Sequence, residues 1–222
     1  MPSIINATVT SGLTANSDTS GNLIFQTSST NVLTLDSSQN ATFVNDITSR
    51  NGLVPGELFY RLNTAYTGTS TTSAQSLFGV GVTVSGSTVY QFESLIAMSK
   101  TSTATNHNLG FGFGGTATLN NISYTSLQNT FSNTSFLQSN DNPSYLTFVQ
   151  TASATTLSNP GTAAVYKIFS FKGTVSVNVG GTFIPQYTTS ASTGVYTTAI
   201  GSFFKLSRIG ASGANTSIGT WA

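Results

Sequence analysis

Thr88-Val89-Tyr90-Gln91-Phe92-Glu93-Ser94-Leu95-Ile96-Ala97-Met98-Ser99-Lys100 alternates with a period of two. Tyr90, Phe92, Ser94, Ile96 and Met98 share one face of an extended chain, while Val89, Gln91, Glu93, Leu95 and Ala97 share the other. Successive side chains of a strand point to opposite sides, so this pattern predicts a β-strand. Both faces are largely apolar, which predicts a central strand of a sandwich covered on each side.

Working outward, Glu57-Leu58-Phe59-Tyr60-Arg61-Leu62 opens a series of similar segments. Further strands are predicted over 108–114, 119–124, 145–150, 163–171, 174–179, 183–188 and 202–209, punctuated by Gly, Asn, Ser and Pro. Seven to nine strands of this length predict an all-β fold, an antiparallel jelly-roll-like β-sandwich. No window carries apolar residues at helical spacing among good helix formers, so at most a turn of helix is expected, near 125–128.

Residues 1–50 read differently. Leu23-Ile24-Phe25, Val32-Leu33-Thr34-Leu35 and Ala41-Thr42-Phe43-Val44 predict three short strands separated by Ser, Thr, Asn, Asp and Gly. A segment of this size cannot bury a core of its own without metals, disulfides or partner chains. The chain has no Cys, and its one histidine lies elsewhere, so partner chains remain. Asn51-Gly52 and Pro55-Gly56 are strong turn signals, and they set the expected domains at 1–50 and 51–222.

Of 222 residues, seven are basic and six acidic, while Ser and Thr make up about a third and Phe and Tyr number fifteen and eight. A net charge of +1 offers no footprint for a phosphate backbone or an anionic lipid surface, so neither nucleic acid nor membrane is expected as a partner. No run of eighteen apolar residues exists. The opening Met1-Pro2-Ser3-Ile4-Ile5-Asn6 lacks the basic and apolar regions of a secretory signal, so export by that route is not expected. So few charges leave little repulsion between copies, which favours oligomers.

Candidates for chemistry are few. One histidine, His107, and no cysteine cannot assemble a zinc site within one chain, and no cofactor or metal is expected; between Asn106 and Asn108, His107 reads as a solvated loop residue, or as one of three copies meeting on a trimer axis. A Ser-His-Asp set could be drawn with His107 and Asp141, yet no nucleophile elbow accompanies it. Only Glu57, Glu93 and Asp141 supply carboxylates to residues 51–222, too sparse for glycoside hydrolysis. Glu93 interrupts an apolar face and calls for a cation, with Lys167, Lys172, Arg61 or Lys205 as partners inside the fold or across a subunit boundary. Leu109-Gly110-Phe111-Gly112-Phe113-Gly114-Gly115 has glycines at nucleotide-loop spacing, but no helix pattern follows; the glycines instead admit another backbone or a ring while Phe111 and Phe113 fill the core. Tyr66, Tyr124, Tyr145, Tyr187, Tyr196 and Trp221 are core or interface members, or alternatively rings on which a sugar stacks.

Ser3-Ile4-Ile5-Asn6-Ala7-Thr8, Thr19-Ser20-Gly21-Asn22-Leu23-Ile24-Phe25-Gln26-Thr27 and Leu33-Thr34-Leu35-Asp36-Ser37-Ser38-Gln39-Asn40-Ala41-Thr42 together resemble a segment at the start of fibre-like and knob-like virion proteins of tailed phages, including those of cyanobacteria. Gly181-Thr182-Phe183-Ile184-Pro185-Gln186, Gly201-Ser202-Phe203-Phe204-Lys205-Leu206 and Gly219-Thr220-Trp221-Ala222 resemble the end of phage structural proteins with a β-sandwich head. The resemblance implies a homotrimer with a short N-terminal stalk and a jelly-roll head, and it brings no catalytic residue. Three chains around an axis would give Ile4, Ile5, Leu23, Phe25, Leu33, Leu35 and Phe43 their missing core, at a trimer or capsid interface.

About 50 residues before the head make a stubby object. The expected role is therefore a non-enzymatic capsid decoration, or cement, protein on the virion surface, with the major capsid protein as partner. The alternative is a short tail fibre or receptor-binding tip, partnered by tail proteins and a host surface polysaccharide.

Overall fold

The computed structural model describes residues 22–27, 30–38, 41–43, 57–101, 105–131, 142–192 and 194–213. Among them every regular element is a β-strand, and all strand pairs are antiparallel. The chain divides into two compact units, Met1–Thr48 and Ser49–Ala222.

The first unit holds β1 (Leu23–Thr27), β2 (Thr30–Leu35) and β3 (Ala41–Phe43), paired in that order. Asp36 turns the chain between β2 and β3 by accepting a hydrogen bond from the Ser38 amide at 2.9 Å, the local side-chain bond that makes Asp a turn residue.

The second unit holds β4 (Glu57–Arg61), β5 (Tyr66–Thr67), β6 (Gln75–Ser76), β7 (Val82–Val84), β8 (Thr88–Lys100), β9 (Leu109–Gly114), β10 (Thr118–Phe131), β11 (Asn142–Val149), β12 (Thr155–Ser158), β13 (Val165–Val179), β14 (Gly181–Thr189), β15 (Thr197–Thr198) and β16 (Phe203–Ala211). Eight of them form one sheet. It runs β11-β10-β13-β8, and the far side of β8 is shared: β16, with β4 outside it, lies along Thr88 to Leu95, and β15, with β5 outside it, lies along Met98 and Ser99. The other five form a second sheet ordered β12-β9-β14, with β6 and β7 dividing the far side of β14. The chain passes repeatedly between the sheets, as where β13 ends at Val179 and β14 begins in the other sheet at Gly181.

Aromatic rings fill the space between the sheets. Phe111 of β9 lies 4.3 Å from Phe169 and 5.3 Å from Phe171 of β13, measured between ring centroids. Phe113 packs on Phe92 of β8 at 5.1 Å, on Tyr124 of β10 at 5.4 Å and flat against Phe183 of β14 at 4.8 Å. Ile96, Met98, Val175, Val177 and Leu206 complete the cluster. Gly112 serves this packing from the outside: a side chain there would lie 2.7 Å from the Ala152 carbonyl oxygen, and its absence lets the 151–155 backbone run alongside β9, where Ala152 accepts a 2.8 Å bond from the Phe113 amide.

Several expectations are corrected. Residues 125–128 are strand, held between β11 and β13, with Tyr124, Ser126 and Gln128 turned inward. The segments 163–171 and 174–179 are one strand, β13, because Gly173 lacks the side chain that would collide with the Ser123 carbonyl and Tyr124 of β10. Among the described residues the second unit has thirteen strands, several only two or three residues long, where seven to nine were expected. The alternating faces of β8 are unequal: Tyr90, Phe92, Ser94, Ile96 and Met98 are buried, whereas Gln91 is exposed and Leu95 is 40% exposed. The second sheet covers one side only, and an apolar residue on a folded surface is ordinary enough that sequence cannot tell it from a buried one.

Adjacent positions of β8 therefore differ sharply in cost. Phe92→Ala is expected to destabilise the second unit by about 3–5 kcal/mol through the cavity it leaves, and Gln91→Ala by less than about 0.5 kcal/mol, as read from urea unfolding of the two variants.

Candidate functional site

The register of the first unit brings the nominated interface residues together. Leu23 lies opposite Leu35, Phe25 opposite Leu33, and Leu33 opposite Phe43. Directly opposed residues of an antiparallel pair share a face. Leu23, Phe25, Leu33 and Leu35 thus form one apolar face, and Phe43 holds the register position beside Leu33, its side chain lying outside the described residues. Phe25 is 39% exposed, Leu23, Leu33 and Leu35 are half-buried, and none of the unit's residues with a described exposure is buried. Ile4 and Ile5 lie outside the described residues.

The residues considered for chemistry are scattered. Glu93 is half-exposed on the outer face of the larger sheet, opposite Lys172 on one side and Lys205 on the other, so two of its four suggested partners are its neighbours. The described ion pair of that row is Lys205 Nζ to Glu57 at 2.9 Å, and this bond holds the Lys205 ammonium above its ordinary range. Asp141 and Trp221 lie outside the described residues, as does the Tyr145 side chain. Tyr124, Tyr187 and Tyr196 are core, with burial pushing the hydroxyls of Tyr124 and Tyr187 up to about 12; no sugar can reach them. Tyr66 is half-buried. Among the described residues no three His, Cys, Asp or Glu side chains gather at a potential metal site, and no helix is long and apolar enough to cross a membrane.

His107 is corrected outright. It is 2% exposed, not solvated. Its Nδ1 stands 3.3 Å from the Thr105 carbonyl, which can only accept, so Nδ1 carries the proton and Nε2 accepts from the Tyr196 hydroxyl at 2.6 Å. Protonating Nε2 would reverse that bond, with the Tyr196 hydroxyl accepting and its own hydrogen left to find another partner. Burial, and after it the nearby Lys100 charge, lowers the His107 pKa against the smaller opposing pull of the Thr105 and Gly161 backbone. Lys100 is itself buried, donates to the Thr101 carbonyl at 2.7 Å and lies 5.9 Å from the Tyr196 ring centre. Lys167 is buried as well, and desolvation brings it down to about 8. Sequence analysis did not single out Lys100 and offered Lys167 only as a partner of Glu93, whereas it stands opposite Met98; parity carried the signal, since Lys100 continues Ile96 and Met98, and Lys167 continues Phe169 and Phe171.

Two more surfaces stand out. Leu58 and Tyr60 of the edge strand β4, with Phe78, Val82, Pro185 and Leu206, line an apolar groove of about 200 Å³. On the outer face of the larger sheet, Leu146 and Phe148 of β11 are 70% and 62% exposed, and Phe59 of β4 is 54% exposed.

No family model matches the chain, and no curated protein or solved structure matches it either.

The buried bases set a pH dependence. His107 binds a proton less readily folded than unfolded, so stability falls as pH drops below about 6.5, and His107→Gln should flatten the fall in melting temperature between pH 7 and pH 5. Lys167 likewise binds its proton more weakly folded, so the melting temperature should climb from pH 8 toward pH 10, and Lys167→Met should remove that climb.

Proposed function

We propose that this chain is a non-enzymatic structural protein of a tailed-phage virion, a homotrimeric capsid decoration (cement) knob that binds and stabilises the shell. Its N-terminal strands attach and trimerise, and its second unit is a jelly-roll-like sandwich head. The observation that carries this reading is the apolar face of Leu23, Phe25, Leu33 and Leu35, none of them buried, with Phe43 at the register position beside Leu33. Each such side chain gains about 1.5–3 kcal/mol when fully removed from water. Closing three copies around an axis removes them all at once and leaves no open edge for further growth.

The resemblance of both chain ends to virion proteins supports the same reading. So does the composition, with little charge for steering small ions or nucleic acid. A trimer that binds only the assembled shell stabilises it by mass action, and three attachment points per knob multiply the affinity. The major capsid protein is the proposed shell partner.

A short tail fibre or receptor-binding tip for host surface glycan is the second reading. Exposed rings at Phe59 and Tyr60, beside a Thr- and Ser-rich surface, favour it. Location on the particle separates the two: many copies over the head belong to cement, a few at the tail to adhesion.

Leu33→Asp tests the trimer and the attachment together, since Leu33 faces both Phe25 and Phe43. The expected result is a threefold fall in mass by analytical ultracentrifugation, an unchanged melt of the second unit, and loss of occupancy on purified shells. A variant that keeps its mass and its occupancy would overturn the proposal.

A further inference from the structure

The outer face of the larger sheet is self-complementary. Six of its strands, β11-β10-β13-β8-β16-β4, lie side by side in register, with β13 and β8 in the middle. Across one row the outward residues read Phe148, Thr125, Lys172, Glu93, Lys205, Phe59. The adjacent row reads Leu146, Leu127, Ser170, Leu95, Phe203, Arg61, with Leu127 and Phe203 equally far from its centre. Charge of opposite sign stands at the centre, and exposed apolar side chains stand at equal distances to left and right.

We infer that this face pairs with the same face of a second copy about a twofold axis that runs parallel to the strands, midway between β13 and β8. Under that operation the strand on one side of the axis meets its counterpart from the other side. Lys172 of one copy faces Glu93 of the other, twice over. Leu127 faces Phe203, and Phe148 faces Phe59, again in duplicate. Lys205, already paired with Glu57 of its own chain, faces Thr125, Leu95 faces Ser170 and Arg61 lies over Leu146, so the match is carried by the two central charge pairs and by the two kinds of apolar pair. Two sheets packed with strands nearly aligned are an ordinary arrangement for such faces.

The size of the face fits. Six strands at about 4.8 Å and four outward residues on each central strand at about 6.7 Å span roughly 29 Å by 27 Å, of the order of the ~800 Å² per partner in stable complexes. The pairing is independent of the trimer contact on β1, β2 and β3. On the virion reading it would tie the head of one knob to the head of its neighbour.

Full-length protein provides the test, by sedimentation equilibrium or native mass spectrometry. Wild type is expected to form even-numbered assemblies, as dimers of single chains or dimers of trimers. Glu93→Lys places Lys against Lys across the axis, and Lys172→Glu places Glu against Glu. Each is expected to weaken the pairing on the order of 100-fold. An equimolar mixture of the two variants restores it, because in the mixed pair both central contacts are again Lys against Glu. Phe148→Ser, at a site too exposed to support the core, should also weaken it. A wild type that stops at the monomer or the trimer, single variants that pair as well as wild type, or a mixture that stays apart while both variants remain folded would each overturn the inference. A dimer of single chains in wild type would sustain the pairing while removing the trimer.

Discussion

The contact of Phe111 and Phe113 with the rings of β8, β10 and β13 is the interaction on which the second unit depends. There is no disulfide, and among the described residues there is no metal cluster, so this layer of rings is what holds the two sheets against each other. The glycines between the rings matter as much as the rings. A strand that alternates Phe with Gly presents bulk inward and nothing outward, so the 151–155 segment can press onto its back and supply hydrogen bonds there. Phe92 sits at the crossing of this arrangement, within ring contact of Phe113, Tyr124, Phe183 and Phe204.

That interior decides where the charges go. Glu57, Arg61, Glu93, Lys172 and Lys205 sort onto the outer face of the larger sheet, where opposed signs on neighbouring strands offset one another. Lys100, Lys167 and His107 lie instead at the end of the ring layer, where Phe and Met give way to Gln128, Ser126 and Ser158 along the inward faces. The two buried lysines cost stability at neutral pH, and His107 does so only in acid. The first unit shows the contrast. Its strands alternate as cleanly as those of the second, yet no side chain there with a described exposure is buried.

Much of this was legible beforehand, and the failures have a common cause. The strand character of Thr88–Lys100, the residues that share each of its faces, the role of the Gly-Phe run and the shared face of Leu23, Phe25, Leu33 and Leu35 follow from a period of two, a local property. Where reasoning went astray, a distant residue decided. Thr125-Ser126-Leu127-Gln128 has no strong local preference and became strand because β11 and β13 flank it on both sides. His107, between two asparagines, looked like a loop residue and is buried because Tyr196, eighty-nine positions later, reaches its Nε2. Gly173 looked like a break, but Tyr124 needs the room it leaves.

By itself the sequence determined that the described residues are built of strands, which residues of each strand share a face, and that charge is scarce, with seven basic and six acidic residues in 222. These depend on backbone alternation and composition, which need no knowledge of neighbours. Only the tertiary structure decided which of two apolar faces is covered, which strands lie side by side, and hence that Lys172 and Glu93 stand at the middle of a six-strand face. Burial and register are properties of pairs of distant segments, and a one-dimensional pattern that repeats every two residues is the same whichever side the second sheet lands on.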